Sequence, residues 1–306
     1  MRGGLFEYNI INTYPRIYKG KSALNTNRLW PVIFTVTGLL AAVFAFTGRF
    51  LNKDISVKSL LVATTIPPYK RIIEEIGGQE ASVFVMIPAD RDPHIYEPTP
   101  GQLMRLEKAD LYIKIGSRID FENSLIEGFR SINKGGRVYD SANGIELIDQ
   151  EPHVWFSAKN LRIIARNIYE ALAAELPEEK DGFLENYGKF VARIDNVDEK
   201  LKHLSGRVEP KAVLVYHPVL TYFCRDLGLE QICVEREGKE PGSRYIVEVI
   251  QKARERNIKK IFMTTGDNAK TAQIIARELN GKAVLFHSLA EDILDAIEDV
   301  AEKLAA

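Results

Sequence analysis

The apolar residues Phe183, Tyr187, Phe190, Ile194, Val197, Leu201 and Leu204 are separated alternately by four and three positions. That heptad-like spacing places them on one seam of a helix running from about Glu178 to Leu204. At 1.5 Å per residue such a helix is roughly 40 Å long. To either side the pattern changes: short apolar runs alternate with segments of helical period. Before the long helix, strands are expected at Leu60–Thr65, Val83–Ile87 and Leu111–Ile115. Helices are expected at Tyr69–Ile76 and Thr99–Ala109, the latter with Thr99 as N-cap and Pro100 at its first position. After it, strands are expected at Ala212–Tyr216, near Ile232–Val234, at Lys260–Thr264 and at Ala283–Phe286. Helices are expected at Val219–Leu227, Tyr245–Arg256, Asn268–Leu279 and Glu291–Leu304. Alternation of this kind predicts βαβ units and parallel sheets. The fold class is therefore α/β, with two lobes, each built on a mainly parallel sheet, joined by one long rigid helix.

The N-terminal part differs in kind. Trp30 to Gly48 contains no charged residue, and Arg16, Lys19, Lys21 and Arg28 precede it. A helix of this length crosses roughly 28 Å, close to the hydrocarbon thickness of a bilayer. The positive-inside rule leaves residues 1–29 in the cytoplasm and sends the remainder outside. The run is longer than the apolar region of an ordinary signal peptide, and the sequence after it (FAFTGRF) is a poor cleavage site. An uncleaved anchor is the first reading and a cleaved signal the second; both export the rest. No cysteine follows to carry a lipid. The expected organisation is a cytoplasmic segment (1–29), an anchor or signal (30–48), a linker (49–57), a first lobe (58–177), the long helix (178–205) and a second lobe (206–306).

Charge and cysteine content narrow the function. The 306 residues carry a formal net charge of −1, which gives no electrostatic case for nucleic acid. Cys224 and Cys233 can form one bridge at most, or stand as buried thiols.

The five histidines are more informative. His217 directly follows AVLVY, and His287 directly follows AVLF. His94 lies in the turn after VFVMIP, and His153 sits just before a helical segment. Ligands of open parallel sheets bind outside the carboxyl ends of the strands. A single histidine so placed is more often a hydrogen-bonded structural residue. Four of them, two from each lobe, point instead to a metal cage in the interlobe cleft. Imidazole suits zinc, copper, iron and nickel. His203, on the long helix, is expected to be an exposed residue favoured by the helix C-terminus.

The stretches DPHIYEPTPGQLMRLEKADLYIKIG, EPHVWFSAKNLRIIARNI, VYHPVLTYFCRDLGL, KEPGS and AKTAQIIARELNGKAVLFHSL together resemble the cluster A-I solute-binding proteins of zinc and manganese ABC importers. The resemblance covers about residues 58–306. It implies that His94, His153, His217 and His287 are the metal ligands and that an ABC importer permease is the membrane partner. The fourth position is usually Asp in the family and is His287 here. The third is often Glu in manganese-type members and is His217 here. Thr264 and Thr265 stand where a Glu-Pro pair is common, and the long His-rich loop of many zinc-type members is absent.

Four imidazoles without a carboxylate favour a borderline-soft tetrahedral ion, so zinc ranks first, with manganese, copper and iron behind it. Such a site needs carboxylates beyond the ligands to orient the rings, and Asp92, Glu97 and Glu151 are nearest in sequence. Tyr96, Trp155, Phe156, Tyr216, Tyr222 and Phe223 either wall the cleft or pack the core. The expected function is capture of a transition metal outside the cytoplasm by a monomer, followed by release to the importer with small lobe movements. A manganese or iron receptor and a metal-binding surface adhesin are the alternatives. An enzyme is not expected: four protein ligands leave no open position for an activated water, and HExxH, GxSxG and Walker motifs are absent.

Overall fold

The computed structural model describes residues 59–89, 91, 96–116, 119–149, 151–235 and 241–306. The predicted anchor (30–48), His94 and Asp92 lie outside the described residues. Among the described residues, no helix is long and apolar enough to cross a membrane.

The first lobe contains β1 (Leu60–Thr64), α1 (Pro67–Gly77), β2 (Ala81–Val85), α2 (Pro100–Leu106), β3 (Leu111–Lys114), α3 (Asp120–Ile132), β4 (Arg137–Asp140) and α4 (Ala158–Glu175). Its four strands are all parallel, in the order β2-β1-β3-β4. A 3-10 turn at Pro177–Glu179 leads into α5 (Lys180–Ser205), the long helix, 26 residues in length. The second lobe repeats the plan with β5 (Ala212–Val215), α6 (Thr221–Leu227), β6 (Glu230–Cys233), α7 (Ser243–Glu255), β7 (Lys260–Met263), α8 (Ala269–Glu278), β8 (Lys282–Leu285) and α9 (Ile293–Ala305). Its strands are parallel in the order β6-β5-β7-β8. Each sheet therefore changes winding direction at one point, between β1 and β3 in the first lobe and between β5 and β7 in the second. Such switch points open a crevice at the strands' carboxyl ends.

The seam on α5 is buried as its spacing required. Phe183, Phe190, Ile194, Val197 and Leu201 are buried, and Tyr187 and Leu204 are half-buried. The helix packs on α1 and α4 of the first lobe and on α9 of the second. Arg193 projects from it to both sides, with 2.6 and 2.7 Å contacts to Glu75 and a 2.7 Å contact to Asp292.

Residues of the second sheet alternate between two environments, the period-2 signature of a strand covered on both faces. Val213, Val215, Phe262, Val284 and Phe286 join a core that runs continuously into the first lobe. Ala212, Leu214, Ile261 and Met263 face a smaller cluster with residues of α7 and α8. Phe156 of the first lobe crosses into the second, with its ring 6.3 Å from Phe223 and 5.7 Å from Phe286. The two lobes share one core and are not separate bodies linked by a strut alone.

At the first switch point a buried carboxylate ties the strand ends together. Glu122 accepts hydrogen bonds from Ile115 N (2.7 Å), Gly116 N (2.9 Å) and the Thr65 hydroxyl. Burial pushes its pKa up, against the opposing pull of these donors. Gly116 has φ +82°, and a β-carbon there would overlap the Asp140 carboxylate. The positive φ favours glycine at that turn, and a β-carbon would also oblige the Asp140 side chain to shift.

Candidate metal centre

β5 ends at Val215 and delivers His217 to the second switch point. His153 arrives from the first lobe on the loop before α4, which is capped by Ser157. The two rings meet across the lobe boundary, with centroids 4.9 Å apart, nearly perpendicular, and Nε2 atoms 3.3 Å apart. His153 is 6% exposed.

Each ring is oriented from behind by a carboxylate. His153 Nδ1 donates to Glu151 Oε1, which also accepts from the His153 amide at 2.9 Å. His217 Nδ1 donates to Glu235 Oε2 at 2.6 Å. A carboxylate only accepts, so in the neutral rings the proton sits on Nδ1 and Nε2 is the electron-pair donor. Two such donors at 3.3 Å repel each other unless a cation lies between them. This is the arrangement in which an outer carboxylate fixes the tautomer of a metal-ligating histidine.

The surroundings are negative. Burial works against a charged His217, but the Glu235 hydrogen bond and the charges of Glu235, Asp267 and Glu151 outweigh it, and its pKa lies above the ordinary imidazole value. Burial would raise Glu151, yet the bonds and charge of His153 bring its pKa below the usual carboxylate range. Asp267 sits just past β7, its Oδ2 accepting from Thr264 N at 2.6 Å. Burial raises its pKa, with Thr264 and His217 opposing. A cation, whether a proton or a metal, is favoured between the two rings.

The other predicted residues divide. His287 lies just past β8 and is exposed. Its neighbour Ser288 is anchored to the first lobe, where the Trp155 indole donates to Ser288 O at 2.9 Å. Among the described residues, no three His, Cys, Asp or Glu groups form a metal-holding cluster. Of the carboxylates nearest in sequence, Glu151 takes the orienting role and Glu97 is exposed. His203 is exposed on α5 as expected. Trp155 packs edge-on against His153 at 5.2 Å and also joins the shared core, to which Phe156, Tyr222 and Phe223 belong. Both cysteines are free thiols, and burial pushes each up to about 12, which keeps them protonated at neutral pH.

The sequence reading missed Glu235. It follows β6, the strand beside β5, and its amide bonds to Tyr216 O at 2.8 Å. A carboxylate just beyond the end of the neighbouring strand was the available signal, readable once the strand order is known.

Residues 62–306 match the family model of the periplasmic zinc-uptake complex component A. The chain belongs to that family. A crystal structure of ZnuA superposes with a TM-score of 0.77 at 32% identity, covering 81% of this chain and 98% of that one. The high-affinity zinc uptake system protein ZnuA of Bacillus subtilis is 22% identical over 85% of this chain and 88% of its own length. A Chlamydia muridarum chain, named provisionally as a metal-binding protein, is 28% identical over 87% of this chain and 98% of its own. As a member of the zinc-uptake component A family the chain has two α/β lobes with parallel sheets joined by a long helix, as its sequence pattern indicated.

Proposed function

We propose that this chain captures zinc outside the cytoplasm and passes it to an ABC-type importer, with His94, His153, His217 and His287 as the metal cage. The observation that carries the reading is the His153–His217 pair. Two Nε2 atoms from different lobes lie 3.3 Å apart, each ring held at Nδ1 by a carboxylate. Membership of the zinc-uptake family supports zinc as cargo, as do imidazole donors in place of carboxylates. Glu151, Glu235 and Asp267 offset the ion's charge without occupying the ligand positions. The tie from Trp155 to Ser288 supports a place for His287 near the pair. The anchored arrangement follows the charge pattern of residues 1–48: residues 1–29 inside, 30–48 in the membrane, a linker at 49–57, and lobes at 58–177 and 206–306 about the helix 178–205. The chain acts as a monomeric carrier and not as an enzyme, since a four-histidine cage closes the coordination sphere.

Release proceeds with small lobe movements. The shared core and the Phe156 contacts oppose wide opening, so a docking partner would act by distorting the cage. Native mass spectrometry of the full-length chain, titrated with zinc, manganese and copper in competition, tests the reading. One tightly held zinc, lost in His153→Ala, His217→Ala, His94→Ala and His287→Ala alike, is the expected result. Retention in His287→Ala would reduce the cage to three ligands. Retention in both His153→Ala and His217→Ala would refute the site.

A further inference from the structure

The two central histidines belong to different lobes, so their spacing depends on whatever joins the two loops that carry them. One hydroxyl touches both. Thr221, the first residue of α6, has its Oγ1 2.9 Å from Pro218 O, the residue after His217. The same oxygen lies 3.1 Å from Glu151 Oε2, on the carboxylate that holds His153. Gln231 Nε2, on β6, donates into it at 2.8 Å. The next residue reinforces the contact: Tyr222 donates to Glu151 O at 3.2 Å and accepts from Ile148 N at 3.1 Å. Two consecutive side chains of the second lobe thus pin the first lobe's loop at residues 148–151.

We propose that Thr221 is a positioning residue for the metal pair, setting the His153 ring through Glu151 only while the lobes are engaged. The proposal rests on the zinc-capture reading and deepens it. The Thr221 hydroxyl has one proton and two acceptors. When the loops part, it keeps Pro218 O as acceptor and Gln231 as donor, so the Thr221 hydroxyl is not stranded, whereas Tyr222 loses its bonds to Glu151 O and Ile148 N. Glu151 loses the bond to its second oxygen and turns more freely, and His153 turns with it. At Thr221 the relay therefore opens at little cost, and its effect there falls on the ligand of the first lobe. Small lobe displacements reach the metal by this route without disturbing the shared core.

The test is the rate of zinc release from the full-length chain, followed by stopped flow into excess chelator. Thr221→Val keeps the side-chain shape and removes the hydroxyl; release should quicken by about tenfold, the lower end of the range for partners of metal ligands. Thr221→Ser keeps the hydroxyl and should stay within about twofold of the parent. In a Glu151→Ala background, which removes the group joining Thr221 to His153, Thr221→Val should add nothing, because both changes break one relay. Thermal unfolding of the metal-free variants separates a general loss of fold from a loss of positioning. Unchanged release in Thr221→Val, equal acceleration in Thr221→Ser, or additive effects in the double variant would each overturn the role. His153→Ala distinguishes the two levels. If that variant and His217→Ala both still bind zinc tightly, the site reading fails and the relay falls with it. If His153→Ala loses zinc while Thr221→Val releases at the parent rate, only the relay fails.

Discussion

Glu235→Gln tests the electrostatic design of the site. Glutamine keeps an oxygen able to accept from His217 Nδ1 and removes only the charge. The carboxylate lies 2.6 Å behind the ring. Adding the ring's breadth and a zinc–nitrogen bond of about 2 Å sets the charge roughly 6 Å from a bound ion. For a divalent cation that separation is worth between about 1.4 and 5.5 kcal/mol as the effective dielectric falls from about 80 to about 20. A loss of roughly 10–100-fold in zinc affinity is the expected outcome, in line with other outer partners of metal ligands. Competition against a chromophoric zinc chelator measures it. The pH dependence carries a second sign. Glu235 raises the pKa of His217, so below that raised value zinc must displace a proton. Removing Glu235 weakens proton and metal together. The affinity gap between parent and variant should be widest above the raised pKa and should narrow as pH falls. Equal zinc affinities at pH 7.5, or a gap that widens on acidification, would refute the reasoning.

Gly116→Ala should destabilise the fold by about 2 kcal/mol or more, since it combines a positive φ with a collision against Asp140; urea unfolding reads this directly. Glu122 has a raised pKa in the folded state, so the fold holds its proton more tightly than the unfolded chain does. The stability this gives is present below the ordinary carboxylate range and is lost as pH rises through the raised value. Glu122→Gln should flatten that part of the stability–pH curve, and a curve as steep as the parent's would count against the assignment. Trp155→Phe removes the indole bond to Ser288 O across the lobe boundary and should cost about 1 kcal/mol in unfolding free energy. If Ser288 carries His287 into the cage, this variant should also release zinc faster.

The long helix was the clearest element in the sequence, because its seam sets one face against both lobes over many turns. Strand positions were read within a few residues. The apolar pattern puts the second strand at Val83–Ile87, but it pairs over Ala81–Val85. The apolar run continues through buried Met86 and Ile87, which still bond to Thr64 O and Thr65 O beyond the regular ladder. α2 stops at Leu106, short of the predicted Ala109, because the chain turns through Glu107 and Lys108 to enter β3. The α3–β4 unit was not delineated. β4 is an edge strand with no buried residue, so it carries little apolar signal, although Leu125, Ile126 and Phe129 of α3 had helical spacing. Of the pair that meets, His217 was legible from its place after a strand and His153 from its place before a helix. Glu235 and Thr221 were not, because their roles depend on which strand lies beside β5 and on how the two lobes abut. Residue spacing within one element does not encode either fact.

The common core also bears on how the molecule unfolds. α9, the last element, contributes Ile293, Leu294, Ile297, Val300 and Ala301 to the same apolar cluster as Trp155, Leu161 and Ile164 of the first lobe. The apolar cluster of the first lobe is therefore continuous with residues of the C-terminal helix. A core shared in this way makes the two halves of the chain unfold together, so a change in α9 is felt around Trp155 as well as in its own lobe.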